Sequence, residues 1–569
     1  MIQIKMHTRT FVSIFLLLGL QLQKGYAQNS ARQLDSILQT IKAKITNLEQ
    51  DRNSIQQILD WDKDKPWKVS FQQITSDAKG KSNTKAWEFN LANLDLNSTR
   101  WTASGSKLTL SSRIERSQKL IRLLINNVPG PYEESLEISF TEIEAVRSAC
   151  DDLKKAIQQA KPLWEKSTAL AASDLTGLIA VIGNTIQEVS TGKTLNYRQK
   201  LERNSTLPDV LDVQVDEMDS KGSSTTLTYR FSVGDLNENG IKVVVSGSKL
   251  SLNITTSGKR PFIEVISDGK TKLFTHEFDL YLADPDAAML TQRAFAKMIP
   301  MASQVLKARL LKFNTPDEVL QALKPLIKNT EKSKTPIEQS LNGALNETYS
   351  QTITNSKGGK VLTSYAFFWG DINGKNPSIG EKGTQLGLKL KTLEQQKFIQ
   401  VQENNELQNY SNELEFLFGD VESLRQAEHL IAQLGTAVKS EYPAQDQAWL
   451  QKTMAEISNN NSNLSQQLTG DESNATCQWI LTRVESSEKG AKETKFQFSL
   501  KDIDPNQVNI VVRGKELWLE LQSKFKQKVI TRYIEGKAEY IYTCALQFTN
   551  LSDLKSGQAT MLKLIEACK

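Results

Sequence analysis

Four segments of this 569-residue chain repeat one order of residues, and that repeat limits the possible folds more than any other feature. Each segment opens on a phenylalanine: Phe89, Phe231, Phe367 and Phe498. Two residues on stands Leu91, Val233, Trp369 or Leu500, and five residues on stands Leu94, Leu236, Ile372 or Ile503. A glycine follows in every copy (Gly105, Gly247, Gly383, Gly514), then leucines two apart, beginning at Leu108, Leu250, Leu386 and Leu517. The match closes at Ile121, Ile263, Ile399 and Ile530, so the four copies align over 33 residues without a gap. A fixed internal period of this kind marks one structural unit used several times.

The Phe-x-Leu and Leu-x-Leu spacings have period two, the signature of strands with one buried face. Lys-Gly steps at Lys79, Lys221, Lys357 and Lys489 read as hairpin turns, since glycine accepts the angles a tight turn needs. The expected fold class is α+β: four tandem repeats, each an antiparallel meander of five or six strands flanked by an N-terminal helix and closed by a C-terminal helix. Closing helices start at Glu142, Asp284, Asp420 and Ser552, where acidic or capping side chains suit the free N–H groups of a first turn. Preceding helices are expected from the stripe Leu34, Leu38, Ile41, Ile45 and Leu48, and over 174–189, 315–327, 336–345 and 449–457. The expected division is 1–27 signal peptide, then repeats at 28–165, 166–305, 306–440 and 441–569.

The signal-peptide reading rests on Lys5 and Arg9, an apolar run from Phe11 to Leu22, and Gly25-Tyr26-Ala27 as a cleavage site. It places the mature chain in a secreted or periplasmic compartment, with no transmembrane helix. Loss of Lys5, Arg9 and Lys24 takes the formal charge from +5 to +2. Nearly neutral and without a concentrated basic block, the chain is not expected to bind nucleic acid. The run Lys524-Phe525-Lys526-Gln527-Lys528 reads as a solvated strand face.

Residue types shared by all four copies are explained by the shared fold, so specific chemistry is sought where one copy departs. Trp518 stands between paired leucines where the other copies have Thr109, Ser251 and Gly387. Phe368 follows the opening Phe where two other copies have Asn90 and Ser232. Alternation points both away from the core, as contacts for a protein or glycan partner or as packing against a neighbouring repeat. On the last strand, Glu134, His276, Asn412 and Cys544 are aligned between apolar residues, with one residue inserted in the fourth copy. They read as a rim where the sheet opens to water, or as the polar lining of a small-ligand pocket.

Of the cysteines, Cys477 and Cys544 are the expected disulfide, with Cys544–Cys568 as the alternative and Cys150 free and buried. His276 and His429, the two histidines beyond residue 27, have no partner at metal-ligand spacing. No cofactor or metal is expected, and a monomer is. These readings favour a non-enzymatic binding or scaffold protein whose similar surfaces act in series. The rivals are a hydrolase with a cleft of two carboxylates in one specialised copy, and a purely structural envelope component.

Overall fold

Asn90, Ser232 and Ser499 end their strands and turn the chain: each side chain accepts the N–H two residues on, at 2.8–3.3 Å, and starts a single 3₁₀ turn. A second turn follows where Asp95, Asn237 and Asn373 cap the N–H groups of Asn97, Asn239 and Lys375, and in the first two it is again 3₁₀. The turns divert the chain out of its first sheet, and the fold follows from that. The computed structural model describes residues 29–50, 53–105, 107–186, 188–190, 195–219, 221–332, 335–355, 357–439, 442–454, 456–459, 462–470, 477–487 and 490–568. The expected signal peptide lies outside the described residues.

The chain is mixed α+β, and its sheets are antiparallel. The first segment has nine strands: β1 (Leu48–Gln50), β2 (Asn53–Trp61), β3 (Lys68–Ser76), β4 (Ser82–Asn90), β5 (Arg100–Ser104), β6 (Lys107–Arg113), β7 (Ile121–Ile125), β8 (Val128–Glu133) and β9 (Ser135–Phe140). Six form a sheet in the order β1-β2-β3-β4-β7-β8, and three form a second in the order β5-β6-β9. The single meander of five or six strands is thus corrected to nine strands in two sheets. The same two orders recur over residues 189–281, 330–418 and 456–548. Phe89, Phe231, Phe367 and Phe498 are buried in every case. Gly105, Gly247, Gly383 and Gly514 hold φ between 59° and 64°, the left-handed turn that the Gly signal implied.

One device ties the two sheets of each segment together. Gln57, Gln199, Gln339 and Gln466 are buried on the second strand of the six-stranded sheets. Each side-chain amide donates to one main-chain carbonyl of the last strand and accepts the N–H of the same residue: Ser139, Tyr281, Leu417 or Gln547. All eight hydrogen bonds span 2.7–3.2 Å. The glutamine satisfies an edge that no strand reaches, which a buried main chain requires.

The long helices are α1 (residues 29–44), α2 (Ile143–Ser167), α4 (Pro285–Ala308), α6 (Val421–Ala437) and α8 (Leu551–Ala567). Shorter helices α3 (Leu175–Thr185), α5 (Pro316–Leu323) and α7 (Gln447–Thr453) pack on α4, α6 and α8. Lys44 of α1 is bound to Ser148 and Asp152 of α2, both at 2.6 Å. The expected helix over 336–345 is instead the strand Thr335–Gly343, with Ile337, Gln339 and Leu341 buried in alternation. A spacing of four between Ile337 and Leu341 fits one helical turn and two strand steps equally. Boundaries at 165 and 305 fall inside α2 and α4, which run to Ser167 and Ala308.

The described chain divides into two compact units, one ending at Arg309 and one starting at Leu310. Within the first, the N–H of Tyr132 on β8 donates to the carbonyl of Gly247 at 3.0 Å; within the second, Tyr410 donates to Gly514 at 3.1 Å. The disulfide joins Cys477 to Cys568, with Cα atoms 6.0 Å apart, and Cys150 and Cys544 are buried and unbridged. This corrects the expected Cys477–Cys544 pair and its Cys544–Cys568 alternative. The C-terminal end of α8 returns to the strand that Cys477 precedes, and Cys544 faces into the core beside Leu521.

Candidate functional site

The second strand of the first segment, β2, ends at Trp61; β3 begins at Lys68, and β4 ends at Asn90. These three strand ends meet the first turn of α4 around a cavity of about 360 Å³. Its apolar wall is Trp61, Phe89 and Leu120. Its polar lining carries five carboxylates (Asp60, Asp62, Glu88, Asp284, Asp286) against two cations, Lys68 and Arg122.

Both cations are already engaged. Lys68 Nζ lies 3.3 Å from Asp286 Oδ2 and 3.6 Å from Asp284 Oδ2, and Arg122 lies 3.3 Å from Glu88. Burial works against the Lys68 ammonium, but the Asp284 and Asp286 carboxylates outweigh it and hold the group above the ordinary lysine range. Asp286 Oδ1 accepts from Asn90 Nδ2 at 2.7 Å and from Trp164 Nε1 at 3.2 Å. Asp284 Oδ1 caps α4 by accepting the Ala287 N–H at 2.9 Å. Behind Arg122, Tyr132 is buried, which pushes its phenol up to about 12. Asp60 lies 4.0 Å from Lys42, Asp62 accepts the N–H groups of Asp64 and Lys65, and Lys63 sits 4.4 Å from the Trp61 ring, so the lining itself keeps more acids than bases beside an apolar wall whose rim carries two further lysines.

The strand-end half of this arrangement is particular to the first segment. Lys68 pairs with Asn90 across β3 and β4, and the matching pairs are Val210–Ser232, Asn346–Phe368 and Gln478–Ser499. In the second unit the matching place is filled. Phe368, half-buried, meets the Tyr442 ring edge-on with centroids 5.9 Å apart. Phe398, at the position of Leu120, lies 4.0 Å under the Lys555 ammonium, which also sits 4.6 Å from the Tyr442 ring and forms a buried ion pair with Asp371. Burial lowers the Lys555 ammonium below the usual lysine range against the pull of Asp371. A larger depression of about 680 Å³ lies between the hairpins at Gly490 and Gly536, lined by Lys492, Glu493, Lys495 and Tyr533, and its lining is mostly polar.

Trp518 is half-buried: its Nε1 donates to Glu516 at 3.0 Å, and the Arg483 guanidinium lies 4.8 Å over its ring. Glu134, His276 and Asn412 are half-buried at the bend where the chain crosses from the six-stranded to the three-stranded sheet. Their carbonyls accept the N–H groups of Ile114, Thr256 and Thr392 at 2.9 Å. In the fourth segment the same bond runs from Ser523 to Tyr542, also at 2.9 Å. Cys544 therefore matches Leu136, Phe278 and Leu414 in register, and the expected one-residue insertion is a deletion. Burial pushes the Cys544 thiol up to about 12. What recurs at the bend is a main-chain bond, which leaves the side chain free to vary. The four residues lie in four segments, and none of them lines either of the two cavities described above.

Sequence reasoning missed the cavity because Asp284 and Asp286 join it from about 200 residues beyond β3 and β4. Copy-specific Lys68, and a small Asn90 at the position that Phe368 holds in the third segment, were the available signals. Among the described residues, no group of three or more His, Cys, Asp or Glu side chains is placed to hold a metal ion, and no helix is long and apolar enough to cross a membrane. No known family model matches the chain, and no curated protein matches it.

Proposed function

We propose that the chain is a non-enzymatic binding protein of the extracytoplasmic space, built from four copies of one unit, and that its cavity at Trp61, Lys68 and Asp286 takes a small cationic ligand with an apolar part. The single observation carrying this reading is the charge balance of that cavity: five carboxylates against two cations that are already paired, beside Trp61, Phe89 and Leu120. Its volume of about 360 Å³ suits a small molecule. A cationic nitrogen answers the surplus carboxylates, and an apolar group covers the Trp61 side. The Cys477–Cys568 disulfide supports an oxidising compartment, as the N-terminal segment does.

The four-copy reading, with units at 28–165, 166–305, 306–440 and 441–569, is supported by the recurring strand orders and by the four glutamine ties. Copies of this kind diverge by filling or emptying the same place. Phe368 and Phe398 occupy what Asn90 and Leu120 leave open.

A hydrolase reading draws on the same carboxylates, since the cleft gathers acids from the first segment and from the start of α4. Against it, both oxygens of Asp286 hold fixed donors and Asp284 caps a helix, so neither is placed to attack or to pass a proton. Thermal melting of the mature chain separates the readings. Benzylamine should raise the melting temperature, while benzyl alcohol and benzoate at equal concentration leave it unchanged. Equal shifts for all three probes, or none for benzylamine, would reject the cationic site.

A further inference from the structure

Phe525 is 90% exposed, the largest exposure among the large hydrophobic side chains described. It sits at the middle of a one-turn 3₁₀ segment, Lys524–Lys526, with φ 56°, a left-handed conformation that bulky L-residues avoid. The same position in the other three segments holds Arg116, Gly258 and Glu394, each also with positive φ. The turn is fold-wide; only in the fourth segment does it carry an aromatic ring into solvent. The backbone of the turn belongs to the fold; what is particular to the fourth segment is a large apolar ring standing 90% exposed at its tip, which buries little surface there.

Residues 524–529 are all exposed and include Lys524, Lys526 and Lys528 but no acid. The expected solvated strand face is therefore a projecting turn, stiffened by the Ser523 hydroxyl donating to the Gln527 carbonyl and by Lys524 Nζ donating to the Lys501 carbonyl at 2.6 Å. Ser523 N–H binds the Tyr542 carbonyl at 2.9 Å, and Ile530 pairs with Ile541, so Tyr540 (63% exposed) and Tyr542 lie beside the turn. Val529 is exposed at the same end.

We propose that this end of the fourth segment is a contact tip for an anionic lipid bilayer. Phe525 enters the interfacial zone, Tyr540 and Tyr542 rest at the headgroup level, and the three lysines meet lipid phosphates. A projecting apolar ring, a surrounding lysine cluster and flanking tyrosines are the chemistry that holds a protein on a charged membrane surface without crossing it. A protein partner fits less well. A stable interface buries roughly 800 Å² on each side, whereas here the apolar surface is concentrated in one protruding ring. The tip and the cavity near Trp61 lie in different units, and the proposal does not depend on the cavity reading.

Flotation of the mature chain with lipid vesicles tests it. Vesicles of phosphatidylcholine with one third phosphatidylglycerol should carry the protein upward at low salt, and raised salt should release it. Phosphatidylcholine alone should carry little. Phe525→Asn keeps a residue that accepts the left-handed turn, so its fold and melting temperature should hold; its partitioning should fall roughly tenfold or more. Lys526→Glu with Lys528→Glu should lower binding to anionic vesicles only. Failure of the unaltered chain to float, or equal flotation of Phe525→Asn, would overturn the proposal. Retention of the chain on immobilised polyglutamate without flotation would assign the tip to an acidic protein and overturn it equally.

Discussion

The main-chain N–H of Tyr132 donates to the carbonyl of Gly247, joining the edge strand of one six-stranded sheet to the turn of the next three-stranded sheet at 3.0 Å. Tyr410 and Gly514 repeat that bond at 3.1 Å in the second unit. The segments are thus bonded in pairs, and the pair is the unit of cooperative folding on this account. Residues 28–309 and 310–569 expressed separately should each melt in one transition. A fragment of 28–165 should melt lower than 28–309, because it loses the partners that Asp286 and Gly247 supply to Asn90 and Tyr132. Calorimetry of the three fragments checks this.

The four glutamine ties should be costly to cut. Gln57→Ala, Gln199→Ala, Gln339→Ala or Gln466→Ala leaves a buried N–H and C=O of the last strand unsatisfied, at about 1–3 kcal/mol for each orphaned group. Denaturant unfolding should show losses of that order for each variant. A change at Gln57 or Gln199 should lower only the transition of the first unit, and one at Gln339 or Gln466 only that of the second.

Lys555 and Asp371 form a buried ion pair between α8 and the third segment. Removal of one charge strands the other in a dry setting, and truncations of this kind typically cost about 3–5 kcal/mol. Lys555→Met and Asp371→Asn should each destabilise by roughly that amount. The double variant should recover most of the loss, and a double-mutant cycle in urea measures the coupling.

Glu347 is buried near Lys324, which lies 3.6 Å away, and burial raises its carboxyl above the ordinary glutamate range despite the lysine. The folded state therefore holds this proton more tightly than the unfolded chain. Its stability contribution is greatest at low pH and falls as pH rises from the ordinary glutamate value through the raised one. Glu347→Gln should therefore raise the melting temperature at pH 7, with the gain shrinking toward pH 4. Melting curves across that range check the sign.

Much of the inner face was legible because period two writes buried strands directly into sequence: Phe89, Leu108, Leu110 and their counterparts are all core. The second sheet was not legible, because the diversion occurs within three residues, Leu91–Asn93, whose composition resembles a strand end. The strand at Thr335–Gly343 was misread because Ile337 and Leu341 satisfy both periods. The glutamine ties could have been read, since Ile55-x-Gln57-x-Leu59, Tyr197-x-Gln199-x-Leu201, Ile337-x-Gln339-x-Leu341 and Leu464-x-Gln466-x-Leu468 recur ahead of each opening Phe. The disulfide could not, since the proximity of Cys477 and Cys568 is set by where α8 ends. The same holds for the cavity, whose walls come from two segments.

The cavity is open in the first unit, and the matching place in the second is filled by Phe368 and Phe398. Calorimetric titration of benzylamine into the mature chain, alongside a Leu120→Phe variant that places in the first unit the ring Phe398 supplies in the second, addresses it most directly. Binding to the unaltered chain should be saturable and roughly millimolar, with none to Leu120→Phe at an unchanged melting temperature. Undiminished binding to the variant, or no binding to the unaltered chain, would contradict it.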